Sequence, residues 1–407
     1  MNQQIHVSLS LSLSLSLSLN TLRARRCCGG SASFSLFLSV WVCLLCIGLA
    51  RTLIQNTDNF AVRIWIVDNS SSLNHADGHR VVQSSEPPFR IQNVDCTRWE
   101  EVSTTLLWHA AFAARMEAPM AIRMVNPVHS RPQQLGVAAS ERVDIHGEME
   151  RLQALVQHCN HPEGSTPSII HLKQIVNCIL AVPTDLLEEK AVAIVLVTDH
   201  LPRDAQGREG EPINNDFIQT LKQLDGLSVW VVIRLSTDEQ RVVDFYTELD
   251  NSMAYLSVND DEAAAGGGEV HLDVLDDYVS EAAQVQTYNP WLNYGYPLHL
   301  CRESAVNFPA FDVLNDRPLL HDELCDFIAL LFDRRLQAWS DQPLPNPRTH
   351  YREFRKEVQD LVQRNPSLYN PIKKKIVPWI DMRQLDRLYS TSADPEAVPE
   401  GSCCNIL

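Results

Sequence analysis

The sequence predicts an α/β protein: a doubly wound, mostly parallel sheet with helices on both faces, of the Rossmann-like kind, followed by a mostly helical extension. Three observations carry this. Dense apolar, β-branched runs stand at 61–67, at Ala191–Thr198 and at 227–235. Segments with helical spacing of apolar residues alternate with them, as in parallel sheets wrapped by crossover helices. Two of the runs end in an aspartate, Asp68 and Asp199, and such sheets bind ligands beyond the carboxyl ends of their strands.

Taken in order, the folded part is expected to start near Asn59. The run 61–67 reads as a buried central strand, because a strand covered on both faces is continuously apolar rather than alternating. Thr97-Arg98-Trp99-Glu100 has the form of a capping box, and Trp99, Val102, Leu106 and Ala113 continue it as a helix to about Met116. A second strand is expected at 120–125 and a helix at 148–159. Pro167 stands at the first position of a helix through Ile179, where its missing N–H costs nothing. Ala191–Thr198 is the most strand-like segment of the chain. A helix follows at 216–224, then the strand at 227–235. Ser236-Thr237-Asp238-Glu239 reads as a second capping box opening a helix through Leu249. Residues 263–268 are a glycine-rich insert, and 270–283 supply one more strand-helix unit. Beyond Tyr288 the texture turns aromatic and proline-rich, with helices expected at 320–332, at Tyr351–Arg364 and at Met382–Tyr389.

This gives four regions: a leader over 1–58, the sheet domain over 59–285, the extension over 286–390 and a polar tail over 391–407. In the leader, Ser and Leu alternate from Ser8 to Leu19, which is low complexity rather than fold. An apolar run over 34–50 follows the basic residues Arg23, Arg25 and Arg26. It supports three readings: a signal peptide with Gly48 and Ala50 as small residues of a cleavage site, a signal anchor, or a mispredicted translation start.

The composition, 45% hydrophobic and 21% charged, is that of a globular protein. The formal net charge of -17 repels phosphate backbones and argues against nucleic-acid binding, while it suits cations. Of the 11 cysteines, Cys96, Cys159, Cys178, Cys301 and Cys325 are scattered singly through the body. That spacing is no disulfide framework, so they read as free thiols of an intracellular protein.

The residues after the first strand are Asp68-Asn69-Ser70-Ser71-Ser72. One carboxylate and two hydroxyls in a tight loop suit a hard cation. Alone, the pentapeptide is ordinary loop chemistry. Two further segments add to it: Gly164-Ser165-Thr166-Pro167 puts a hydroxyl at a helix start, and Thr198-Asp199 ends the strongest strand with a carboxylate. In this order, over roughly 59–283, the trio resembles the von Willebrand factor A (integrin inserted-domain) family and its metal-ion-dependent adhesion site. The resemblance implies that Asp68, Ser70, Ser72, Thr166 and Asp199 hold a Mg2+ ion, or Ca2+ or Mn2+ in its place. It further implies a coordination position left open for an acidic residue of a protein partner. One departure stands out: His200 follows the last aspartate where the family usually has glycine. It could crowd the loop, hydrogen-bond Asp199, or do neither. His75 and His79 could reach the mouth of the site, although solvent-facing positions suit them better. His158, Cys159 and His161 resemble half of a zinc site without a second half.

The chain ends Cys404-Asn405-Ile406-Leu407, a C-a-a-X pattern whose terminal leucine favours a geranylgeranyl group. Cys403 could add a palmitoyl chain, the second signal that stable anchoring needs. Prenylation is cytosolic, which conflicts with a signal peptide. The sequon Asn69-Ser70-Ser71 lies inside the cation loop, where a glycan would block it, and this favours a cytoplasmic, membrane-associated protein over a secretory one. No phosphate loop, nucleophile elbow or HExxH helix is present. The expectation is therefore a cation-dependent binding or scaffolding protein rather than an enzyme. The alternatives are an accessory subunit with a weak site and a metal-dependent hydrolase.

Overall fold

A computed structural model describes residues 46–83, 91–129, 131–139, 144–159, 162, 164–165, 167–259, 271–333 and 343–391. Its described part divides into two compact units. One holds residues 56–80 and 95–277, the other 46–55, 81–94 and 278–391.

The first unit is built on a six-stranded sheet: β1 (Phe60–Val67), β4 (Met120–Met124), β5 (Gln134–Val137), β6 (Ala191–Thr198), β7 (Val229–Leu235) and β8 (His271–Leu275). The spatial order is β5-β4-β1-β6-β7-β8, parallel throughout except for the β4–β5 pair. The order reverses between β1 and β6, so the crevice beyond the carboxyl ends of these two strands is where such a sheet binds ligands. β1 is buried at all eight positions, which is why its sequence shows no alternation.

The two faces of β1 meet different helices. Val62, Ile64 and Ile66 join a core cluster with α4 (Ser168–Leu180), α6 (Glu211–Lys222) and α7 (Gln240–Asn259). On the other face Trp65 packs against His109 of α2 (Arg98–Met116), with ring centroids 4.7 Å apart. Beyond α2 lies α3 (Ile145–His158). Each fully buried aliphatic or aromatic side chain contributes roughly 1.5–3 kcal/mol, so both faces are held by apolar burial. A buried ion pair joins Arg234 of β7 to Glu101 of α2. Glu101 also accepts the His79 backbone N–H at 2.8 Å, which fixes the first turn of α2 against the sheet.

The capping box at Thr97 forms as expected, with Glu100 N–H to Thr97 Oγ1 at 3.1 Å and Thr97 N–H to Glu100 Oε2 at 2.9 Å. The second expected capping box does not form. Ser236 turns back to β6, its N–H donating to Thr198 O at 3.0 Å. α7 starts later, at Gln240, with Thr237 Oγ1 accepting from Glu239 N–H at 3.2 Å. Antiparallel β5 and the short α5 (Thr184–Glu189) are additions to the expected elements.

The folded part also begins before Asn59. A helix, α1, runs Ile47–Asn59 and buries Leu49 and Leu53. Gly48 and Ala50 lie inside it. The rest of the leader, residues 1–45, lies outside the described residues, as do the glycine-rich insert, Cys403 and Cys404. Among the described residues no helix is long and apolar enough to cross a membrane. Cys96, Cys159, Cys178, Cys301 and Cys325 form no disulfide among the described residues.

The second unit contains α8 (Tyr278–Tyr288), α9 (Tyr296–Glu303), α10 (His321–Phe332), α11 (Tyr351–Arg364) and α12 (Met382–Tyr389). It also holds a two-stranded antiparallel sheet of β9 (Leu368–Asn370) and β10 (Lys375–Val377). The aromatic and proline-rich segment after Tyr288 places Trp291 and Tyr294 in its core. The chain passes between the units more than once. Part of β2 (Gly78–Gln83) and part of β3 (Ile91–Cys96), which pair with each other, belong to each.

Candidate metal centre

Asp68 follows the last residue of β1, and its N–H continues the ladder to Val197 O at 3.1 Å. The loop then doubles back: Ser70 N–H donates to Asp68 Oδ1 at 2.8 Å, and a 3-10 turn runs Ser71–Asn74. This aims two hydroxyls toward β6. Ser70 Oγ lies 3.0 Å from Ser72 Oγ, and Ser72 Oγ donates to Asp199 Oδ1 at 3.0 Å. Asp68 and Asp199 are fully buried and Ser70 nearly so. Four of the five expected ligands are thus brought together at the switch point of the sheet. Thr166 lies outside the described residues. The segment around it is tied to the same loop, because Ser71 N–H reaches Gly164 O at 3.4 Å and Asn74 Nδ2 donates to Pro162 O at 2.9 Å.

The donor set fits a hard dication. Magnesium takes six oxygens at 2.0–2.1 Å in an octahedron, so adjacent ligand oxygens stand about 3.0 Å apart. The two spacings along Ser70 Oγ, Ser72 Oγ and Asp199 Oδ1 have that length. Ligand atoms of Asp68, Asp199 and His200 all lie within 4.8 Å of one another. Such oxygens can hold a cation and leave part of its shell to a further acidic ligand.

Several residues that hold this geometry were not singled out from sequence. Asn69, the second residue of the loop, makes a two-way clamp: its Nδ2 donates to Asn126 O at 3.1 Å, and Asn126 N–H donates to its Oδ1 at 2.7 Å. The clamp locks the loop after β1 to the end of β4. Gly164 has φ +95°, and a Cβ there would stand 2.8 Å from Asn126 Oδ1, so the approach requires glycine. Tyr246 of α7 donates to His200 O at 3.1 Å and fixes the loop after β6.

Arg98, the first residue of α2, donates from Nη1 to Asp199 Oδ2 at 2.9 Å. Its Nε and Nη2 form a bidentate pair with Asp77 at 2.7 and 2.6 Å. Burial works to lower the Arg98 pKa, and its bonds to Asp77 and Asp199 outweigh that and raise it. Asp77 is held below the usual carboxylate range, chiefly by its hydrogen bonds to Arg98. One carboxylate of the centre, Asp199, is therefore already paired with a permanent positive charge. No local pattern announces this, since Arg98 and Asp199 are joined only by the fold.

His200 is drawn into the centre by a hydrogen bond to Ser72 and stands within ion-pair range of Asp199. Its Nε2 lies 2.7 Å from Ser72 Oγ and 3.1 Å from Asp199 Oδ1. Burial lowers its pKa, with Asp199 pulling the other way. Its nitrogen stands at cis-ligand distance from two of the oxygens, so it caps or completes the same cluster. His75 is exposed. His79 approaches Asp95 at 3.7 Å instead. His158 bonds Ala154 O at 2.6 Å, and His161 lies outside the described residues.

No family model matches the chain, and no curated protein matches it. Among solved structures, the PilB minor pilin from Streptococcus sanguinis is similar over 52% of this chain at 12% identity, with a TM-score of 0.32. The chain spans 56% of that protein's length. A superposition this loose is no guide to chemistry.

Proposed function

We propose that this chain is a divalent-cation-dependent protein-binding or scaffolding protein. Its first unit would be a doubly wound von Willebrand factor A-like domain with a metal-ion-dependent adhesion site. One observation carries the reading: Asp68, Ser70, Ser72 and Asp199 converge at the switch point of a mostly parallel sheet, with oxygen spacings of 3.0 Å along Ser70, Ser72 and Asp199. Asp68, Ser70, Ser72, Thr166 and Asp199 would hold Mg2+, or Ca2+ or Mn2+. Two carboxylates neutralise a dication only formally, and Arg98 already engages one of them, so the ion favours a further carboxylate from a partner. The partner's contact is then a Glu or Asp side chain. A protein array probed with the tagged chain tests this. Captured partners should be released by a chelator and by Asp68→Ala alike; capture that survives both contradicts the reading.

A second reading, an accessory subunit with a weak site, is favoured by one observation. Arg98 and His200 satisfy Asp199 without any ion. The absence of Mg2+ binding at millimolar concentration would select it. The chain is also proposed to carry a prenyl group on Cys404, with Cys403 as a palmitoylation position. Mass spectrometry of the native protein reads out both, together with the true N-terminus.

A further inference from the structure

The β9–β10 hairpin of the second unit carries five consecutive exposed residues, Ile372-Lys373-Lys374-Lys375-Ile376. In a chain of net charge -17 this is a local reversal of sign. Residues 371–383 contain four basic side chains, the three lysines and Arg383, against one acid, Asp381. Asp381 stands 3.7 Å from Lys373 Nζ, and its carboxylate is otherwise occupied capping α12. Five large hydrophobic side chains are exposed among the described residues, and two of them, Ile372 at 39% and Ile376 at 53%, bracket the lysines.

The hairpin is a fixed platform. Its base is held by Asn293, whose Nδ2 lies 3.4 Å from Leu368 O and 3.3 Å from Val377 O. Asn370 donates to Asn293 Oδ1 at 2.8 Å and accepts Lys373 N–H at 2.6 Å. Beside it lies a groove of about 560 Å³ whose lining includes Lys373, Lys375 and Arg383 together with the carboxylate of Asp381.

We propose that this hairpin is a docking surface for an anionic lipid bilayer. The lysines would face the headgroup phosphates and the two isoleucines would enter the interfacial layer. Charge complementarity selects an anionic target. The order of residues selects a layered target: exposed apolar side chains on both sides of the charges suit an interface with phosphates above an apolar layer rather than an acidic peptide. The remote carboxylates of the chain do not cancel the attraction, because at physiological salt they are screened beyond about 8 Å. A single lipid chain anchors only marginally, and a polybasic patch is one of the second signals that make anchoring stable. Twelve residues lie between Thr391, the last described residue of this unit, and Cys404, a reach of up to about 45 Å. That last link rests on the prenylation proposed above; the docking surface itself does not.

The test is co-sedimentation of the unlipidated full-length chain with vesicles of phosphatidylcholine alone and with vesicles containing about a third phosphatidylserine. Binding to the second kind only, falling steeply with salt, is expected. K373Q/K374Q/K375Q should weaken it by about five-fold per lysine. I372S/I376S should weaken it while leaving the salt dependence unchanged. All substituted positions are exposed, and circular dichroism checks that both variants keep the fold. Equal binding to both vesicle kinds, no binding, or indifference to the lysine substitutions overturns the proposal. So does capture of a polyglutamate peptide without vesicle binding, which would make the hairpin a site for an acidic protein. None of these readouts depends on the metal centre, so either reading can fail alone.

Discussion

Arg98 holds Asp77 and Asp199 at once, with its side chain only 11% exposed. A dication that uses Asp199 must share that carboxylate with a guanidinium whose charge cannot be titrated away. Arg98→Gln is therefore expected to tighten divalent-cation binding by about ten-fold, since removing one nearby like charge is worth about 1.4 kcal/mol. The same substitution leaves Asp199 buried without its cationic partner. Without an ion the variant should lose a few kcal/mol of stability and recover much of it in Mg2+. Calorimetry with and without Mg2+ reads both effects; a variant that binds Mg2+ more weakly than the wild type would show that Arg98 supports the ion instead of competing with it. The aspartates and hydroxyls were legible in the sequence because they fall in one short motif and at one strand end. Arg98, Asp77 and Asn126 were not, because their roles come from contacts made across many residues.

At the scale of elements, the centre depends on how three loops are locked. Asn69 and Asn126 exchange two hydrogen bonds between the ends of β1 and β4. Asn69→Ala removes one partner of each and should cost about 1–3 kcal/mol of stability. Its larger effect should be on cation affinity, because Ser70 and Ser72 lose their aim; retained affinity would show that the loop holds itself. Arg234 and Glu101 anchor α2, which presents Arg98. Replacing Glu101 with Gln removes one charge of this buried pair and should destabilise by about 3–5 kcal/mol in denaturant unfolding. Most elements of the sheet were legible because parallel strands read as solid apolar runs and the helices between them keep their period. The misses have local causes. β5 is a four-residue edge strand containing a glycine, too short to show a pattern. α1 was absorbed into the apolar run that precedes it. Ser236 spends its N–H on β6 rather than on a cap.

For the molecule as a whole, pH is the simplest probe of folding. His171 of α4 is 7% exposed, and burial, with Arg123 adding to it, lowers its pKa to about 4. The folded-state value lies below the unfolded value of about 6.5, so the unfolded chain takes up a proton first. Stability from this group is complete above pH 6.5 and is lost as pH falls toward 4, at up to about 1.4 kcal/mol per pH unit and about 3 kcal/mol in all. Melting temperatures of His171→Gln should fall less over that window than those of the wild type. The same decline in both would assign the acid sensitivity to other groups. The interleaving of the two units along the chain was not legible, because the linear reading assigned consecutive stretches to consecutive domains.

Asp68, Ser70, Ser72 and Asp199 are proposed to form a divalent-cation site at the switch point of the sheet. Titration of the purified chain with Mn2+, followed by electron paramagnetic resonance, tests it most directly. One site per chain, displaced by Mg2+ and lost in Asp68→Ala with the fold intact, is the predicted result. Binding that is absent from the wild type, or equal in wild type and Asp68→Ala, would contradict it.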